Sequence, residues 1–158
     1  MKPPGKLAGA LLMIPVPWVF VLTYLMGAGI GSVFHIGRFP DSRFLTPAGL
    51  LVLALGCALA AWGWFIFQSR GTTRVPGEVS STLVTWGPYQ FTRNPMYVGL
   101  SLAYLGEGCI QHQAIPIILL PLTIGYVNRV VIPVEEERLH AVFGREYERY
   151  TATVRRWL

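Results

Sequence analysis

The chain has 158 residues, of which 53% are hydrophobic and only 13% charged, with a mean hydropathy of +0.46 and a formal net charge of +5. Charged residues make up about a quarter of a soluble domain, so this composition excludes an ordinary soluble fold and points to a membrane protein. No basic stripe with interleaved aromatics accompanies the positive charge, which sets nucleic acid aside as a partner.

The elements follow from the runs without charge. Residues 7–31 hold no charged side chain, and a first span is predicted near 7–33. Crossing a hydrocarbon core takes about 20 helical residues. Lys2 and Lys6 precede this run as in a signal peptide, but it exceeds a signal h-region of about 7–15 residues, so it reads as a retained anchor. Pro15 and Pro17 are expected to kink it. Gly27, Gly29 and Gly31 imitate a dinucleotide loop; they end an apolar helix instead of following a strand, and close helix packing is the better reading. A second uncharged run at 45–67 gives a span near 45–69.

A long loop follows, expected over 70–94, with Gly71, Pro76, Gly77, Gly87 and Pro88 as breakers and Leu83 and Val84 as an apolar patch. Loops of this length are uncommon in compact domains unless they carry function. Residues 96–106 and 114–127 are again uncharged, separated by a polar turn at 107–113. They predict a hairpin of two shorter helices, near 95–110 and 114–132, with Pro116 and Pro121 kinking the second. Beyond Pro133 a C-terminal helix is predicted over 134–156. Leu139, Val142 or Phe143, Tyr147, Tyr150 and Val154 form one apolar stripe on it, suited to the membrane interface or to folding back over the bundle. The expected fold class is all-α: one domain over 1–158, a polytopic membrane helical bundle of about four transmembrane helices with a C-terminal amphipathic interfacial helix.

Orientation follows from the basic residues. With four spans both termini share a side, and of the 13 Lys and Arg all but Arg38 and Arg43 fall there. The positive-inside rule makes that side cytoplasmic, in an inner or plasma membrane, and the net charge meets the anionic headgroups of membrane lipids. Cys57 and Cys109 lie within or beside apolar helices and suggest buried or lipid-facing thiols, not a disulfide framework. His35, His112 and His140 have no metal-ligand spacing, so no metal is expected.

Two polar clusters abut the lipid boundary on that side. In the first, Gly87-Pro88 is a turn, Asn94-Pro95 reads as N-cap and first helical residue, and a helix runs on from Met96. Its N-terminus offers unpaired amides to an anionic group, and Arg93 adds a donor fork suited to carboxylate or phosphate. Tyr89 and Tyr97 supply aromatic faces with hydroxyl tips. From these residues alone the cluster suits an anion site and an ordinary headgroup-anchored helix start equally. The second cluster, Glu135-Glu136-Glu137-Arg138, has the composition of a solvated helix face but stands where topology favours Lys or Arg. Carboxylates there suit ribose hydroxyls or an ammonium group.

Gly87-Pro88-Tyr89, Arg93-Asn94-Pro95-Met96-Tyr97, and then Glu135-Glu136 with Leu139, Phe143-Gly144, Tyr147, Tyr150 and Val154 resemble the isoprenylcysteine carboxyl methyltransferase-like family of integral membrane methyltransferases, related to phospholipid methyltransferases. The resemblance runs over about 71–156 and implies S-adenosylmethionine as cofactor, S-adenosylhomocysteine as product, a pocket at the cytoplasmic face and a lipophilic small-molecule or lipid substrate entering from the bilayer. It assigns cofactor binding to Tyr89, Arg93, Asn94, Pro95, Tyr97, Glu135 and Glu136, with Arg93, Asn94 and Glu136 in catalytic roles. Arg129 and Arg138 lie near the same face and are candidates for an anionic substrate head. Asn94 stands where many relatives have His; an amide donates a hydrogen bond but does not titrate near neutrality. Two alternatives stand beside this reading: an NADPH-dependent reductase of the sterol reductase type, whose chains are much longer, and a catalytically silent membrane scaffold. The methyl acceptor, the atom methylated and the oligomeric state stay open.

Overall fold

The computed structural model describes residues 15–40, 42–69 and 82–158, and within them the chain is helical with one isolated bridge, Arg38 with Gln113. Helix α1 runs Val16–Val33, α2 Leu45–Ser69 and α3 Pro95–Ile110. A short 3-10 turn, Gly87–Gln90, precedes α3. Helix α4, Ala114–Tyr126, passes through a π turn, Val127–Val131, into α5, Ile132–Phe143; α6 is Arg145–Thr153. The all-α membrane bundle expected from composition is thus the observed class. Residues 7–14 of the first predicted span and 70–81 of the predicted loop lie outside the described residues.

Three helices are long and apolar enough to cross a bilayer: Val16–Val33, Leu45–Gln68 and the continuous Ala114–Phe143. Helix α3, with 16 residues, reaches only about 24 Å at 1.5 Å per residue, short of a hydrocarbon core of about 30 Å. It is held instead against α2. Cβ atoms added at Gly56 and Gly99 would lie 2.5 Å from the Ala103 nitrogen and 2.6 Å from the Ala60 nitrogen. Gly49 and Gly106 repeat the arrangement one heptad away, each within 2.8 Å of the other helix's backbone. Lipid offers no hydrophobic drive for helix association, so backbone proximity through such glycines and the dispersion it brings replace it. Gly27 and Gly31 do the same for α1 against Pro116 and Ile115 at the start of α4, as their small-residue spacing suggested. Large apolar side chains such as Trp18, Leu25, Leu51, Phe65 and Leu122 point outward, as a lipid solvent permits.

Both hairpin connections meet at one end of the bundle. There the Phe39 N–H donates to the His112 carbonyl at 2.9 Å, the Ala114 N–H to the Gly37 carbonyl at 2.6 Å, and Thr46 Oγ1 pairs with His112 Nε2 at 3.0 Å. The start of α3, the π turn, α5 and the C-terminal residues gather at the other end, over a core of Phe20, Tyr97, Tyr104, Leu120, Val127, Val131 and Ile132.

The proline expectations resolve individually. Pro15 is the N-cap of α1 and Pro17 lies in its first turn, where the missing N–H costs nothing. Pro116 likewise occupies the first turn of α4, and Pro121 lies inside a helix that continues past it. The break expected at Pro133 is absent. Pro133 has no N–H for the Arg129 carbonyl, and the preceding turn has widened so that the Ile132 N–H reaches back to Val127, a π register that absorbs the defect without ending the helix. The single helix expected over 134–156 is instead divided at Gly144, whose φ of 49° lies in the region glycine enters freely.

Candidate active site

The site begins with how α3 starts. Asn94 is its N-cap and Pro95 its first helical residue, as the sequence predicts. The Asn94 side chain makes no capping bond among the described residues. It is turned away from the helix: Nδ2 donates to the Arg156 carbonyl at 2.9 Å. Thr92 Oγ1 donates to the same carbonyl at 3.1 Å and accepts the Asn94 N–H at 3.2 Å, while the Arg93 N–H donates to the Arg155 carbonyl at 2.9 Å. Residues 92–94 and 155–156 are therefore clasped by side-chain and backbone bonds, with Thr92 only 1% exposed.

The clasp brings three charges together. Arg93 Nη1 lies 3.0 Å from Glu136 Oε1. Arg156 bridges both oxygens of the same carboxylate, through Nε to Oε1 at 3.1 Å and Nη2 to Oε2. Its Nη1 donates to Asn128 Oδ1 at 3.3 Å, and Trp157 Nε1 donates to that oxygen at 3.0 Å. Glu135 projects about 100° around α5 from Glu136, toward α3, where the Tyr97 hydroxyl donates to its Oε1 at 2.6 Å. The site holds two guanidinium groups, those of Arg93 and Arg156, beside two carboxylates, those of Glu136 and Glu135, at the N-terminal end of α3, whose dipole favours an anion. Arg93 Nε is buried with no hydrogen-bond partner among the described residues.

Tyrosines wall the cluster. Burial raises the Tyr147 hydroxyl above its ordinary pKa and the Glu136 charge adds to this, while Arg93 and Arg156 pull it down. Tyr150 is raised further, mainly by burial, and its hydroxyl donates to the Tyr89 carbonyl at 2.8 Å. Both belong to a cluster with Leu83, flanked by Leu139, Phe143 and Val154; the predicted apolar stripe thus folds back onto the loop before α3.

Of the predicted site residues, Arg93 and Glu136 meet directly, Asn94 joins them through the Arg156 carbonyl, and Tyr97 with Glu135 forms the adjoining pair. Pro95 is buried at the helix start, and Tyr89 supports the wall from below, its hydroxyl 3.4 Å from the Gly63 carbonyl. Arg129 and Arg138 are exposed and outside the cluster. Sequence reasoning missed Arg156, Asn128, Thr92 and Trp157. Asn128 carried a signal, a lone amide at the end of an apolar run; Arg156 resembled any other positive-inside residue. An apolar groove of about 310 Å³ runs between α1 and α4 and includes Thr23, Met26, Leu119 and Tyr126, the last adjoining the π turn. A second cavity, of about 340 Å³, lies at the hairpin end beside His35, Arg38 and Gln113. Among the described residues no group of three or more His, Cys, Asp or Glu converges as a metal site would require.

The described residues thus form a helical bundle with three helices long and apolar enough to cross a bilayer, in which the Arg93-Asn94-Pro95 start of α3 lies beside Glu135 and Glu136. Residues 45–146 match the phospholipid methyltransferase family model, and the chain belongs to that family. It is 24% identical over 146 residues to the probable protein-S-isoprenylcysteine O-methyltransferases of Oryza sativa subsp. indica and subsp. japonica, covering 90% of this chain and 76% of theirs. That similarity bears out the isoprenylcysteine carboxyl methyltransferase-like resemblance. It is also 30% identical over 138 residues to the cobalt-zinc-cadmium resistance protein CzcN of Cupriavidus metallidurans, covering 85% of this chain and 59% of that protein.

Proposed function

We propose that the protein transfers a methyl group from S-adenosylmethionine to a lipophilic acceptor held in the bilayer, with the donor site at the cytoplasmic face. The observation that carries this reading is the ion pair of Arg93, at the start of one helix of the hairpin, with Glu136, beyond the end of the other, with Asn94 beside it on the Arg156 carbonyl. The donor set fits the cofactor. A helix N-terminus beside Arg93, whose buried Nε has no hydrogen-bond partner among the described residues, suits an α-carboxylate, and the Glu135–Tyr97 pair suits an ammonium group or ribose hydroxyls. The bound donor supplies an electrophilic methyl carbon on a sulfonium.

Methyl transfer of this kind is an in-line displacement, so the residues have to align the partners and exclude water, and no nucleophilic side chain is required. Arg93, fixed by Glu136, orients an anionic group. Asn94 keeps the start of α3 in place and, being an amide, takes no proton. The apolar groove between α1 and α4 offers a lipid-facing path that ends near the same face.

Thermal stability of the detergent-purified protein separates the candidates. S-adenosylhomocysteine at a hundredfold excess over its dissociation constant stabilises by about 2.7 kcal/mol; NADPH has no effect. Stabilisation by NADPH alone supports the reductase, and by neither the scaffold. Labelled S-adenosylmethionine with a host lipid extract then identifies the species methylated. Cysteine-accessibility labelling places the termini on the cytoplasmic side; the opposite result refutes the proposed face.

A further inference from the structure

Glu136 does not present a free carboxylate. Its oxygens are taken by Arg93 and, in two-pronged fashion, by Arg156. Arg156 comes from beyond the last helix, where Val154 has left helical geometry at φ −115°, ψ 130°. Two apolar anchors set this segment: Val154 packs with Tyr147 and Tyr150, and Trp157 packs against the core that contains Val127, Val131 and Ile132. Between them Arg156 is aimed inward, about one-third exposed. Its third anchor is Asn128, on the π turn, whose side-chain oxygen receives both Arg156 and Trp157. π turns recur at functional sites because they re-aim side chains and backbone within a helix.

We propose that Arg156 is a positioning residue of the donor site: held by Asn128 and the Arg156 carbonyl clasp, its guanidinium locks the Glu136 carboxylate in the orientation that turns Arg93 toward the donor. This inference rests on the proposed donor site. A planar fork bridging two carboxylate oxygens fixes rotation about the terminal bond of Glu136, which a point charge cannot do. Arg156 acts through Glu136 and need not touch the donor.

The test is a double-mutant cycle on S-adenosylhomocysteine affinity, by calorimetry on the full chain in detergent, with unfolding midpoints measured in parallel. Arg156→Gln is expected to weaken binding about tenfold, the loss of about 1.4 kcal/mol of charge-assisted orientation, and to cost nothing further when Glu136→Gln is already present. Equal penalties in both backgrounds overturn the inference, because Arg156 then contacts the donor itself. Unchanged affinity in Arg156→Gln, with only the midpoint lowered, reduces Arg156 to a structural clasp and also overturns it. If Arg156→Gln does not yield folded protein, Arg156→Lys takes its place, keeping the charge without the fork, with the same outcomes deciding. A wild-type protein that binds no S-adenosylhomocysteine refutes the donor site itself and this inference with it.

Discussion

Replacing Asn94 by Asp distinguishes a helix cap from the clasp observed here. If Asn94 served as a cap, Asp would be as good or better, since it caps equally well and suits the helix dipole by about 0.3–1 kcal/mol. In the structure the amide instead donates to the Arg156 carbonyl at 2.9 Å. Asp removes that donor, a loss of about 0.5–1.5 kcal/mol, and sets an acceptor against an acceptor, where an unsatisfied buried group costs about 1–3 kcal/mol. Thr92 still donates to the same carbonyl, which keeps the penalty near the lower end. After the dipole gain, Asn94→Asp is expected to destabilise by about 1 kcal/mol. Asn94→His, whose ring N–H can still donate, stays within about 0.5 kcal/mol of wild type on the same hydrogen-bond scale. The assay is a reversible unfolding titration in micelles, paired with S-adenosylhomocysteine affinity. The added charge is expected to weaken a carboxylate-bearing ligand at least about tenfold. Asp at wild-type stability or above would falsify the clasp and return Asn94 to a simple cap.

Glu136→Gln leaves one oxygen for Arg93 but turns an N–H₂ toward Arg156, and is expected to cost about 1.5–3 kcal/mol, reduced by partial solvent screening; unfolding titration checks it, and a neutral effect contradicts the network. Gly56→Ala puts a methyl 2.5 Å from the Ala103 nitrogen and should cost about 1–3 kcal/mol, whereas Gly29→Ala, with nothing within 4 Å among the described residues, should be neutral or gain up to about 1 kcal/mol. Equal effects in the two variants rule out the glycine seam. Tyr150 has its pKa raised by burial above its ordinary 10.0, so the native state holds the proton longer than the unfolded chain. Its stability contribution is intact below pH about 10 and falls as pH rises above it. Midpoints measured from pH 8 to 11 should decline less in Tyr150→Phe than in wild type, while at pH 8 the variant is lower by the lost bond to Tyr89; parallel declines refute the assignment.

Composition and the uncharged runs determined that this is a helical membrane protein, because a backbone in lipid must satisfy its hydrogen bonds internally and only helices or closed barrels do so. The start of α3 was equally legible: Asn94-Pro95 is local chemistry, set by which residues tolerate the N-cap and first-turn positions. So was the apolar stripe of the tail, since helical period survives in sequence. Periodicity did not reveal that Pro133 would be absorbed by a π turn, because the choice between a break and a widened turn depends on how Val127, Val131 and Ile132 pack in the core. Nor did it reveal Gly144 as a divide, or the heptad glycines that let α3 pack on α2 despite its length. Tertiary structure alone decided the site's connectivity. Arg156 and Asn128 are 28 residues apart in sequence and 3.3 Å apart in space, and nothing local distinguishes Arg156 from the other basic residues of the chain. What separates them is the folding back of the segment after α6, driven by partial burial of Val154 and Trp157, which turns one basic residue of the tail into the clamp on Glu136.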